Sequence, residues 1–141
     1  MWPSTFDQRL NVWYSVRQSA KNLPLESALN QINAWWFGCP WQPYYLHWDD
    51  QAAWPDPWQL LSDNVYCELA RGLGILYTIS LLDREDLQSA SLILTQNGHN
   101  LVLVEQTKYI LNWGPDTVLN TNQEVDIRRQ LTQKQIREQY N

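Results

Sequence analysis

Asn97-Gly98-His99-Asn100-Leu101-Val102-Leu103-Val104-Glu105-Gln106-Thr107-Lys108-Tyr109-Ile110-Leu111-Asn112 reads as turn, strand, turn, strand. Asn-Gly is a tight-turn signal, because both residues tolerate the left-handed backbone such turns need. Residues 99–105 are rich in Leu and Val, 106–107 reverse the chain, and 108–112 return along it, which predicts an antiparallel hairpin. The start of one strand and the end of its antiparallel partner lie side by side. With Val104 and Lys108 near the turn, His99 and Asn112 fall roughly opposite each other at the open end, where an amide oxygen at 112 can accept from the imidazole.

Working outward, Leu92-Ile93-Leu94 is a short buried strand, and the charged turn Asp83-Arg84-Glu85-Asp86 separates it from a long helix. Ser62, Asp63 or Asn64 caps that helix, which carries Val65, Cys67, Leu69, Ala70, Leu73, Leu76 and Tyr77 and extends to about Leu82. Gly72 and Gly74 weaken it by roughly 1 kcal/mol each relative to Ala, which predicts a close helix–sheet approach. An alternative ends the helix at Gly74 and makes 75–82 a strand. Residues 57–61 read as one helical turn. Residues 38–57 hold four prolines among Trp and Tyr, so they form an irregular loop, an aromatic layer over the core. Two helices precede it, 5–20 with Thr5 as cap and 24–37 with Pro24 at its first position. After the hairpin, 124–131 is one more strand and Thr132 caps a final helix to about Tyr140. Helices first and an antiparallel sheet after is the α+β order. The expected fold is α+β, with N-terminal helices and a central Cys-bearing helix packed on a small antiparallel sheet. The chain reads as a single domain over residues 1–141. Within it, helices occupy residues 1–37, the aromatic Pro-rich loop 38–57, the core 58–131 and a C-terminal helix 132–141.

The chain's 141 residues suit one core, and 44% are hydrophobic, enough to fill it. Nine Trp and seven Tyr stand against two Phe. Trp and Tyr join a large apolar body to a polar tip, so an excess of them predicts half-buried positions, a groove or an interface. The net charge of −5 argues against a nucleic-acid partner, which needs a basic footprint. No apolar run is long enough to span a membrane. The first residues form neither a basic nor an apolar leader segment, so the expected place of synthesis is a reducing cytoplasm. There the two cysteines, Cys39 and Cys67, are expected as free thiols, and no zinc-type spacing or cofactor motif accompanies them.

Cysteine hydrolysis needs a thiol that ionises, a base within hydrogen-bond reach, and a third group that holds the base in the right tautomer. Cys67 falls in the first turn of the long helix, where the partial positive charge of the helix start favours a thiolate. His99 and Asn112 supply the imidazole and the amide. The stretches Trp54-Pro55-Asp56-Pro57-Trp58-Gln59-Leu60-Leu61, Cys67-Glu68-Leu69-Ala70, Leu73-Gly74-Ile75, His99-Asn100-Leu101-Val102-Leu103-Val104 and Tyr109-Ile110-Leu111-Asn112 resemble, in order and spacing, transglutaminase-like (papain-like) cysteine proteinases. The resemblance covers about residues 54–113 and implies Cys67, His99 and Asn112 in the three catalytic positions. Gln59 and the Cys67 backbone N–H are then candidate oxyanion donors. The chain departs from the family in having Val65-Tyr66 where Gly-Asp usually precedes the nucleophile, and Asn112 where bacterial members favour Asp.

Each of these residues also has a plain structural reading. Cys67 can be a buried thiol, His99 a turn residue, Asn112 a strand-end amide bonding its own backbone. Cys39 reads as packing among tryptophans. His47, Asp49 and Asp50 read as a polar loop face rather than a metal site, and Trp35, Trp36, Trp41, Tyr44, Tyr45 and Trp48 as an aromatic layer rather than a sugar platform. The stretch from Trp35 to Leu76 also resembles small virion proteins of tailed bacteriophages. The expected function is a transglutaminase-like domain built into a phage particle (tail, baseplate or neck), with other virion subunits or a peptide as partner. The alternatives are an active Cys-His-Asn peptidase or amidase acting on protein or peptidoglycan peptides, and a carbohydrate-binding module.

Overall fold

The computed structural model describes residues 2–140 apart from 44, 105, 107, 117 and 121–124. Tyr44 of the aromatic run, positions 105 and 107 of the hairpin and the expected strand start at 124 therefore lie outside the described residues.

Local chemistry sets the helix boundaries. Thr5 caps α1 (Phe6–Lys21) by accepting from the Gln8 N–H, with Asp7 in the first turn and Lys21 in the last, as the helix dipole favours. The helix buries Trp13, Val16 and Ala20, and also Arg9, whose Nε donates to the Leu61 carbonyl at 2.8 Å. Pro24 stands immediately before α2 (Leu25–Trp36), which buries Ala28, Leu29, Ile32 and Trp36. Asp56 caps α3 (Pro57–Asp63), accepting from the Gln59 N–H.

The next boundary corrects the sequence reading. Asn64 does not cap the long helix; it ends α3 in the left-handed conformation, φ 56°. The chain then runs extended through Tyr66, which bridges to Trp41, and α4 (Glu68–Leu82) begins only after Cys67. It continues without a break to Leu82, so 75–82 is helix, not strand. Buried residues occur all round α4, which makes it the central element.

The five strands are β1 (Ala90–Thr95), β2 (Asn100–Val104), β3 (Tyr109–Leu111), β4 (Leu119–Asn120) and β5 (Ile127–Thr132), in the order β4-β3-β2-β1-β5. All pairings are antiparallel. The hairpin forms as expected, with Val102 opposite Leu111 and Val104 opposite Tyr109. The sequence pattern does not signal β4, which at two residues is too short to leave an alternation. Side-chain alternation divides the sheet. Leu92, Val102, Val104 and Leu111 join the main core with α4, while Ile93, Leu101, Leu103 and Ile110 form a smaller apolar cluster on the other face. Thr132 caps α5 (Gln133–Tyr140) in a reciprocal box. Its hydroxyl accepts from the Gln135 N–H and its N–H donates to Gln135 Oε1.

The glycines of α4 do different jobs. A Cβ on Gly72 would come within 3.1 Å of Leu92 Cδ1, which is the expected close approach to the sheet. A Cβ on Gly74 would lie 2.5 Å from the Trp36 ring, so this glycine admits an indole from α2 rather than a strand. Around that indole, Trp2, Trp35, Trp36 and Tyr66 stack and edge against one another at centroid distances of 4.5–5.9 Å.

Candidate functional site

Cys67 is the N-cap of α4, a position normally held by an oxygen-bearing side chain. Its Sγ accepts the Ala70 N–H and the Leu46 N–H, each at 3.4 Å, and the residue is only 4% exposed. Both donors are backbone N–H groups, one in the first turn of α4 and one in the irregular segment. Leu46 also covers the thiol from the irregular segment.

Glu68 follows in the first turn and is the organising group of this end. Its Oε1 accepts from both the Asn100 N–H (2.6 Å) and Asn100 Nδ2 (3.1 Å), fastening the start of β2 to the start of α4. Its Oε2 lies 3.6 Å from His99 Nδ1, an ion pair when the imidazole is protonated. Asn100 Oδ1 in turn accepts from Trp48 Nε1 at 2.6 Å. Trp41, Leu46, Cys67, Glu68, His99 and Asn100 line a cleft of about 310 Å³. Thiol and imidazole therefore open onto one space, although no hydrogen bond joins them among the described residues. The His99 side chain is 59% exposed.

Asn112 does not orient His99. Its φ of 67° breaks the alternation of β3 and turns the side chain inward, a conformation Asn tolerates better than most residues. The amide is then fully occupied. Nδ2 donates to the Glu68 and Asn100 carbonyls at 3.0 and 2.8 Å, and Oδ1 accepts from Arg71 Nε at 2.6 Å. Its backbone N–H donates to Asn33 Oδ1 of α2. Asn112 is 3% exposed and serves as a clamp joining α2, α4 and two strands.

The physical reason is register. Val102 faces Leu111, so Leu101 lies across from 112 and His99 from 114. The side chains of 100, 102 and 104 point toward α4, while 99 shares the parity of Leu101 and Leu103 on the other face. Sequence spacing brings 99 and 112 to the same end of the hairpin, but register sets them two residues apart, and plain alternation would give 112 the parity of Ile110; the positive φ at 112 instead turns its amide to the α4 face, where Arg71, Glu68 and Asn100 occupy it. The same alternation, applied to 100–104, identifies Asn100 as the inward polar residue, a signal that motif spacing passes over. Glu68 is readable as a first-turn acid, but its partners are not.

Gln59 lies on the exposed side of α3 and donates from Nε2 to Asp63 Oδ1 at 2.6 Å. It does not line the cleft, so the expected oxyanion donor is placed elsewhere. Cys39 is buried, and burial pushes its thiol up to about 11 against the pull of the Arg71 guanidinium. Asp49 pairs with Arg129 at 2.9 Å, and among the described residues no cluster of His, Cys, Asp or Glu could hold a metal ion. Of the aromatic run, Trp36 and Trp48 are buried and Trp41 is the most exposed of those described. Among the described residues no helix is long and apolar enough to cross a membrane.

The chain matches no known family model, no curated protein and no solved structure.

Proposed function

We propose that the chain is a transglutaminase-like module that docks a protein or peptide segment, serving as a structural component of a phage particle in its tail, baseplate or neck. One observation carries the docking role: the Asn112 amide is occupied by Arg71, Glu68 and Asn100, leaving His99 without the partner a Cys-His-Asn hydrolase needs. What remains is a cleft with apolar walls at Trp41 and Leu46 and polar groups at Glu68 and Asn100, the mixture that suits a peptide. Exposed Trp41, Trp58 and Trp113 supply the kind of aromatic anchor enriched at protein interfaces. The phage setting rests on the sequence resemblance alone.

A second reading has its own support. Cys67 Sγ receives two backbone N–H groups, and the cleft it opens on also holds the His99–Glu68 pair, so a hydrolase with Glu68 in the orienting role is the alternative. Treatment of the native protein with iodoacetamide at pH 7 separates the two. Docking alone predicts Cys67 modification no faster than that of glutathione, with no peptide cleavage. Rapid modification, together with peptide or amide turnover abolished by Cys67→Ala, would establish the hydrolase instead. Gradient sedimentation of assembled particles tests the location, and absence of the chain from them would remove the structural role.

A further inference from the structure

Arg71 lies one helical turn beyond Cys67 on α4 and is under-used for a partly buried cation. Its only hydrogen-bond acceptor among the described residues is Asn112 Oδ1, which takes Nε. No carboxylate pairs with it there. Among those residues its two Nη atoms have no acceptor, yet they are not sealed from solvent. Aromatic rings hold the guanidinium plane: its carbon is 3.8 Å from the Phe37 ring centroid and 5.3 Å from that of Trp41. Burial lowers its pKa from the ordinary value, with Cys39 the leading opposing influence, but a guanidinium stays charged at neutral pH. A buried charge is normally paired or fully hydrogen-bonded. Here the Nε edge is anchored and the Nη edge has no acceptor among the described residues; Arg71 does not itself line the cleft, but its guanidinium adjoins the Trp41 ring that walls it.

We infer that Arg71, clamped by Asn112 and flanked by Phe37 and Trp41, is a carboxylate-binding subsite that receives a peptide carboxylate from the segment docked in the Cys67–His99 cleft. This rests on the docking reading and adds the chemical class of its ligand. A planar fork fits a planar carboxylate. A polyanion such as a phosphate chain is disfavoured by the chain's net charge of −5 and by Glu68 on the same helix face. Leu46 and Leu69 in the cleft suit an apolar side chain next to that carboxylate. The carboxylate can come from a C-terminus or from an acidic side chain.

The test uses the whole chain and three probes: N-acetyl-leucine, N-acetyl-glutamic acid α-amide and N-acetyl-leucinamide. Binding is read from the NMR signals of the Arg71 Nε–H and the Trp41 indole N–H. Saturable shifts of both signals with either carboxylate, at least tenfold tighter than with leucinamide, are expected. The stronger of the two acids identifies main-chain or side-chain carboxylate as the source. Arg71→Gln should abolish the preference for acid over amide, and Arg71→Lys, which keeps the charge but loses the fork, should reduce it severalfold. Because the wild-type signals report directly, the result does not depend on the variants folding. Equal binding of acids and amide overturns the carboxylate subsite and leaves the docking cleft standing. Binding of none of the three, with neither signal moving, overturns both.

Discussion

Two polar networks surround the same helix, and they end differently. Near the C-terminal half of α4, Trp13 Nε1 and Trp36 Nε1 both donate to Thr78 Oγ1, at 2.8 and 2.9 Å, and that hydroxyl donates to the Gly74 carbonyl at 2.7 Å. Thr78 is fully buried and each of these donors has its acceptor. At the N-terminal end, Glu68, Asn100, Asn112 and Arg71 form an equally dense network, but it keeps an open side with a half-exposed His99 and open guanidinium edges. The first network closes on itself and contributes stability. The second holds its members just as firmly while leaving donors for something else, which is how a scaffold presents a pre-organised site.

The largest expected effect strikes the closed end. Gly74→Ala places a methyl 2.5 Å from a rigid indole, so it should cost upwards of about 3 kcal/mol in urea unfolding. A near-neutral result would show that Trp36 can move and that this end is not closed. Thr78→Val keeps the shape but leaves two indole N–H groups without their acceptor, for an expected loss of roughly 2–3 kcal/mol. Asn112→Ala brings the question to the open end. Loss of the clamp and of a residue suited to positive φ should cost about 2 kcal/mol while leaving the Cys67 alkylation rate within about twofold. A tenfold change in that rate would make Asn112 a participant in the thiol chemistry after all.

The smallest effect comes from Cys39, a buried thiol within the electrostatic reach of Arg71 and Cys67. Its thiol ionises near 9 when unfolded and at about 11 when folded, because burial disfavours the thiolate. The unfolded chain therefore releases the proton first as pH rises, and the folded state loses stability between those values. Measured against Cys39→Ala, the native chain should lose about 1 kcal/mol on going from pH 8 to pH 10. A flat difference would mean the thiol is not sealed.

Much of this is legible in the residues. Thr5 and Thr132 cap helices as oxygen-bearing side chains do, and the Leu- and Val-rich run with its reversal at 106–107 predicts the hairpin. These are local effects: a cap or a turn involves residues a few positions apart, so sequence carries them. The pattern misplaces the start of α4 because Asn64 has two uses, as a cap or as a left-handed stop. Which one applies depends on whether α3 ends there. Thr78 looks like an ordinary polar residue in an apolar helix, since its indole donors lie 65 and 42 positions away in sequence.

By itself, then, the order of residues determined an α+β chain, a central helix with Cys67 near its start and a hairpin bringing His99 and Asn112 to one end. Only the tertiary structure decided which way those side chains point. The pleat reverses direction at every residue, and one positive φ at Asn112 re-aims its amide from the imidazole to Arg71. Spacing along a strand specifies position to within a few ångströms, whereas a chemical site needs direction, and direction is set by what packs against each face.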